Sequence, residues 1–127
     1  MSARSGKPVI MVVDDSRSIL ETARHFLGDD FEIRQVKNGF AALAAVQDHR
    51  PDLIFMDVMM PELDGYSACL AIKDNPEFAD TPIILLSSKD SPFDKAYGQQ
   101  MGCDDYLTKP FTEKELRDKV RQHLPRG

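Results

Sequence analysis

The sequence predicts an α/β domain in which five strands alternate with five helices and a parallel sheet is covered by helices on both faces. Two observations carry this expectation. Three short runs, Val9-Ile10-Met11-Val12-Val13, Leu53-Ile54-Phe55-Met56 and Ile83-Ile84-Leu85-Leu86, are apolar at every position, as strands buried on both faces are. Stretches with helical spacing separate them, and such regular alternation argues a parallel sheet joined by right-handed crossovers. At 127 residues the chain is long enough for one domain with a single layered core.

The elements follow in order. Pro8 leads into the first strand, which ends in Asp14-Asp15. Ser18-Ile19-Leu20-Glu21 matches a capping box, and Ile19, Leu20, Ala23, Phe26 and Leu27 recur at helical spacing behind it. Gly28-Asp29-Asp30 stops that helix, residues 31–36 alternate like a less buried strand, and Asn38-Gly39 reads as a turn. Residues 40–47, alanine-rich with Leu43 and Val46, form a second helix. The central strand then runs straight into Asp57, and Pro61 and Asp64-Gly65 mark the loop behind it. Gly65 opens a third helix with Tyr66, Cys69, Leu70 and Ile72 inward, broken at Asn75-Pro76. The fourth strand ends in Ser87-Ser88-Lys89, and Ser91-Pro92 can start a fourth helix. That helix is the weakest: Gly98 interrupts it, Gly102 caps it, and its apolar residues are few. Asp105-Tyr106-Leu107-Thr108 is a short last strand running into Lys109-Pro110-Phe111. Thr112 and Glu115 form a second capping box, for a final helix carrying Leu116, Val120 and Leu124 and ending at Pro125.

Composition narrows the function classes. A net charge of -5 argues against general nucleic-acid binding, which shows as a basic face. No apolar run reaches the length of a membrane span, and the first residues lack the apolar core of a signal peptide. The expectation is a cytoplasmic protein without membrane insertion. Cys69 and Cys103 lack metal-ligand spacing and read as free thiols. His25, His49 and His123 share no spacing and read as surface or packing residues.

All strands of a parallel sheet point one way, so their C-terminal ends share an edge, where ligands bind in open α/β sheets. The runs deliver Asp14 and Asp15, Asp57, Ser87 and Lys109 to that edge. Three clustered carboxylates repel, so either their pKa values rise or a cation sits among them. Oxygen-only ligands suit Mg²⁺ or Mn²⁺, and the metal is favoured because one lysine cannot balance three acids. Such a pocket can accept a phosphoryl group, with Asp57 as carboxylate nucleophile, Lys109 and Ser87 on phosphoryl oxygens, and Asp14 and Asp15 on the metal. Blander readings exist for each residue alone. The Asp14-Asp15 pair could be a helix cap, Ser87 a turn hydroxyl, Lys109 a surface lysine, and Tyr106 a strand aromatic packed on the fourth helix.

The motifs Val13-Asp14-Asp15-Ser16, Met56-Asp57-Val58-Met59-Met60-Pro61, Leu86-Ser87-Ser88 and Tyr106-Leu107-Thr108-Lys109-Pro110-Phe111 resemble those of receiver domains of two-component response regulators, of the stand-alone chemotaxis-regulator (CheY-like) kind. The resemblance implies a doubly wound, flavodoxin-like sheet in the order 2-1-3-4-5. It covers residues 9–124, with residues 1–8 and 125–127 as tails. It implies that a histidine kinase (CheA-like) phosphorylates Asp57, that Asp15, Asp57 and the Met59 backbone carbonyl bind the metal directly, and that Asp14 acts mostly through water. It also implies a cis Lys109-Pro110 bond aiming the lysine inward, and a switch in which Ser87 moves and Tyr106 turns. Output would pass to an effector protein through the face made by helix four, strand five and helix five. Ser87-Ser88-Lys89-Asp90 and Phe93-Asp94-Lys95-Ala96 further resemble the receivers of type IV pilus (twitching-motility) chemosensory systems. A phosphate-sink receiver or a flagellar chemotaxis regulator are the alternatives. An aspartate-nucleophile phosphatase is disfavoured, because such enzymes commonly place an acid two residues after the nucleophile, where Met59 stands. In the family the side chains at Met59 and Lys89 flank the path of the hydrolytic water.

Overall fold

The computed structural model describes residues 6–88 and 94–124. Five strands, β1 (Val9–Val13), β2 (Glu32–Val36), β3 (Leu53–Asp57), β4 (Ile83–Ser87) and β5 (Asp105–Thr108), pair in parallel in the order β2-β1-β3-β4-β5. Five helices, α1 (Arg17–Leu27), α2 (Gly39–His49), α3 (Gly65–Lys73), α4 (Lys95–Gln100) and α5 (Glu113–His123), lie between and after them, with a 3₁₀ turn at Pro76–Phe78. The predicted fold class and strand order are those observed.

Every residue of β1, β3 and β4 is buried, which is why these runs carry no alternation. Successive residues still point to opposite faces. Ile10, Val12, Phe55, Ile84 and Leu86 pack with Leu20, Leu27, Leu116 and Val120 under α1 and α5. Met11, Val13, Ile54, Met56 and Leu85 pack with Ala42, Val46, Cys69 and Ile72 under α2 and α3. The edge strand β2 buries only Ile33 and Val36.

Several helix boundaries differ from the sequence expectation. Ser16, not Ser18, caps α1 through Oγ, which accepts from the Ile19 N–H at 3.4 Å. The Asp14 carboxylate accepts the Ser16 N–H at 2.8 Å and so starts the helix two residues early. Asn38-Gly39 is a helix start, with the Asn38 side chain accepting from the Ala41 N–H at 2.7 Å and Gly39 the first residue of α2. In α3 the inward stripe is Gly65, Ala68, Cys69 and Ile72, while Leu70 is exposed; one residue beyond Cys69 is a rotation of about 100°. Helix α4 runs through Gly98, which is buried, and is capped by Asp94. The expected helix start at Ser91-Pro92 and the helix stop at Pro125 lie outside the described residues. The capping box at Thr112 and Glu115 is formed as predicted.

Candidate functional site

The C-terminal ends of β1, β3 and the segment after β5 meet as the topology requires. Asp14 and Asp15 leave β1, Asp57 is the last residue of β3, and Lys109 follows β5. The Lys109-Pro110 peptide bond is cis. Lys109 Nζ donates to Asp14 Oδ2 at 3.0 Å and to Asp57 Oδ1 at 3.1 Å. Asp14, Asp15 and Asp57 each offer a carboxylate oxygen, and these atoms lie within 4.8 Å of one another. Asp14 and Asp57 are buried and Asp15 is exposed, so the cluster opens to solvent on one side.

The electrostatics follow from that packing. Burial, and then the neighbouring Asp14 charge, push the Asp57 carboxyl up to about 6, against the opposing pull of Lys109 and the Met59 N–H. Burial works against the charge of Lys109, but Asp14 and then Asp57 hold its pKa above the usual lysine value. At an effective dielectric of 20, unit charges 4 Å apart interact by about 4 kcal/mol. One ammonium among three carboxylates leaves the equivalent of two negative charges. The donor set is therefore all oxygen, one side is open, and its excess charge matches a divalent cation such as Mg²⁺. Both Asp14 oxygens are already engaged, Oδ1 by the Ser16 N–H and Oδ2 by Lys109, which leaves Asp15 and Asp57 as the better direct ligands.

Ser87 ends β4 and is buried. Its neighbour Leu86 stands opposite Asp57 in the β3–β4 ladder, and the Ser87 carbonyl accepts the Lys109 N–H at 2.6 Å. The serine thus sits on the same edge, tied through backbone to the lysine. Tyr106 pairs with Leu85, further back along the sheet, and its side chain is 41% exposed. The Met59 side chain is 62% exposed at the mouth of the cluster, while its N–H donates to Asp57 Oδ1 at 3.4 Å. Lys89 lies outside the described residues.

Two features were not anticipated from sequence. Gly65 packs so tightly behind Asp57 that an added Cβ would collide with the Asp57 carbonyl oxygen, and its N–H donates to the Val58 carbonyl at 2.9 Å. The Asp64-Gly65 pair signals a turn in the sequence but gives no hint of what it packs against. A cavity of about 400 Å³ beside Asp15 is lined by Lys37, Asn38, Phe40, Pro61 and Glu62; these residues come from the start of α2 and the segment just before it, and from the loop after β3, and no local pattern joins them.

Residues 10–121 match the family described as response regulator receiver domain. The chain is 46% identical to Protein PilG of Pseudomonas aeruginosa over 126 residues, covering 98% of this chain and 93% of that protein. It spans about half the length of several further curated relatives. Among solved structures it is similar to the chemotaxis protein CheY4 of Vibrio cholerae, with a TM-score of 0.88, 32% identity, and coverage of 94% of this chain and 100% of that one. It is also similar to the receiver domain of the sensor histidine kinase PA1611 from Pseudomonas aeruginosa, solved with a magnesium ion coordinated in the active site cleft. There the TM-score is 0.84, the identity 29%, and the coverage 94% of this chain and 98% of that one.

Proposed function

Because the chain belongs to the response regulator receiver family, we propose that Asp57 is its phosphoryl acceptor and that a phosphohistidine on a histidine kinase is the donor. The observation that carries this reading is the single ammonium of Lys109 bridging Asp14 and Asp57 at 3.0 and 3.1 Å inside the carboxylate cluster. An Asp57 carboxylate oxygen attacks phosphorus, the bond to the histidine nitrogen breaks, and an aspartyl phosphate forms. An acid titrating at about 6 is roughly nine-tenths ionised one pH unit higher, so Asp57 remains a nucleophile at neutral pH. Lys109 leaves its bond to Asp57 for a phosphoryl oxygen while keeping Asp14. Ser87 donates its hydroxyl to another oxygen.

Asp15, Asp57 and the Met59 carbonyl would hold Mg²⁺, with Asp14 acting through water. The ion would neutralise charge on the phosphoryl oxygens. Ser87 and Tyr106 form the switch, and the output is a changed surface on α4, β5 and α5 that an effector protein reads. The unit formed by residues 9–124 suffices for this role, in the cytoplasm and without nucleic acid. Among the described residues no helix is long and apolar enough to cross a membrane. Beyond its own phosphorylation and dephosphorylation the domain turns over no substrate, since Met59 offers no acid where a phosphatase of this chemistry needs one. The similarity to PilG and the motif set around Ser87 support a place in chemosensory control of pilus-based motility.

Beryllofluoride with Mg²⁺, or acetyl phosphate with Mg²⁺, tests the site. Wild-type protein should bind the first and gain a phosphoryl group from the second, and Asp57→Ala should do neither. Wild-type protein left unlabelled with metal present would defeat the assignment.

A further inference from the structure

Cys69 and Cys103 stand 34 positions apart in the chain but side by side in the fold. Cys69 lies on the inner stripe of α3, fully buried, and Cys103 lies in the turn between α4 and β5, 9% exposed. Both belong to the same apolar cluster, both are free thiols, and each lies close enough to influence the other's proton. The juxtaposition is held from both sides. Lys73, one helical turn after Cys69, pairs with Asp104 at 2.8 Å. Its aliphatic stem lies against Gly102, where an added Cβ would meet Lys73 Cγ at 3.4 Å. Gly102 has φ +91, a conformation that glycine adopts without strain. The Cys103 N–H donates to the Gly98 carbonyl and the Asp104 N–H to the Ile83 carbonyl, each at 2.9 Å. The turn that carries Cys103 is thus fixed to α3, α4 and β4.

We propose that Cys69 and Cys103 are a modification site, a thiol pair that closes to a reversible intramolecular disulfide when the protein meets hydrogen peroxide or another hydroperoxide. The two thiols are unequally placed: Cys103 is 9% exposed and Cys69 is fully buried. The thiolate is the reactive form, and the cysteine nearer the surface is the one that meets the peroxide. Cys103 sulfur attacks a peroxide oxygen, the O–O bond breaks, and Cys103 becomes a sulfenic acid while the leaving oxygen takes a proton and departs as water. Cys69 sulfur then attacks Cys103 sulfur. The S–O bond breaks, and the departing hydroxide takes the Cys69 proton as a second water. Two thiols lose two electrons, and the peroxide is reduced to two waters. The new bond would tie α3 to the entry of β5, the strand that carries Tyr106 and runs into Lys109.

Peptide mapping of the full-length reduced protein after equimolar hydrogen peroxide tests this. The expected product is a monomer that has lost two hydrogens, yields a peptide joining Cys69 to Cys103 under non-reducing conditions, and returns to two alkylatable thiols with dithiothreitol. In Cys69→Ala the sulfenic acid on Cys103 should persist and react with a cyclic 1,3-dione probe. In Cys103→Ala, Cys69 should stay reduced. Two fully alkylatable thiols after peroxide treatment of the wild type would overturn the proposal. So would oxidation found only as intermolecular dimers or as sulfinic acid on Cys103. The wild-type mapping needs no variant, so a misfolded substitution leaves the test intact.

Discussion

Lys109 is the residue on which the electrostatics of the site turn. Its ammonium is the cation within bonding distance of both buried carboxylates, Asp14 and Asp57. Removing one partner of a buried pair costs about 3–5 kcal/mol, because it strands the other charge. Lys109→Ala should therefore destabilise metal-free protein on that scale in urea unfolding, and Mg²⁺ should restore part of the loss. Equal stability of variant and wild type in chelator would remove the lysine from this role. Asp57 acts in the opposite sense. Its folded-state value of about 6 lies above the ordinary 3.8, so between those values the folded protein keeps a proton that the unfolded chain has released. Stability from this group is present below pH 3.8 and is lost as pH rises through that window, by roughly 3 kcal/mol. Asp57→Asn should abolish the loss, so its metal-free stability relative to wild type should grow from pH 4 to pH 7 in parallel urea titrations. The acids and the lysine were legible in the sequence because each ends or follows an apolar run, and a parallel sheet brings such ends together. That Asp14 would be the deeper partner of Lys109 was not legible. Adjacent acids look alike in sequence, and only the turn at Ser16 decides which of them points inward.

At the scale of single elements, what matters is how each helix is joined to the strand before it. Gly65 begins α3 directly against the carbonyl oxygen of Asp57. A methyl group there must push the helix away from the acceptor loop, an overpacking that costs on the order of 2 kcal/mol. Gly65→Ala should lower stability by about that amount and also weaken beryllofluoride binding. Thr112→Ala, which removes the capping box that Thr112 forms with Glu115 at the start of α5, should cost about 1 kcal/mol and leave beryllofluoride binding unchanged. Titrating both variants beside wild type separates a helix that merely stabilises from one that shapes the site. The strands and helices were readable from period and from runs of apolar residues. Helix ends were less so, and the reasons are local. Ser18 and Glu21 fit a capping box, but Asp14 recruits Ser16 first. Leu70 is as apolar as its neighbours in α3, yet rotation puts Ala68 on the inner stripe in its place. The approach of Cys69 to Cys103 has no sequence signal at all, because it depends on where Gly102 meets Lys73.

Across the whole molecule, burial is unevenly distributed, and the uneven part coincides with the expected output face. β1, β3 and β4 are buried at every position and lie at the centre of both apolar layers. α4 is six residues long and its only buried residue is Gly98, while β5 buries only Leu107. Segments with little buried apolar surface open locally at low free energy. A T-shaped contact between Tyr66 and Tyr97, with ring centroids 4.8 Å apart, and the Asp94 N–H donated to the Tyr66 hydroxyl at 2.8 Å hold α4 to α3. Lys119 and His123 on α5 both reach Asp105 on β5 at 2.8 Å. These are polar or edge contacts that can exchange without disturbing either core. Backbone amides of residues 95–101 should therefore exchange with deuterium well before those of β1, β3 and β4 in the apo protein. Beryllofluoride with Mg²⁺ should change protection in α4 and around Tyr106 while leaving the three central strands as they were. Uniform protection of α4 and the central strands, unaltered by beryllofluoride, would mean that the acceptor site is not coupled to this face and that output must leave the molecule elsewhere.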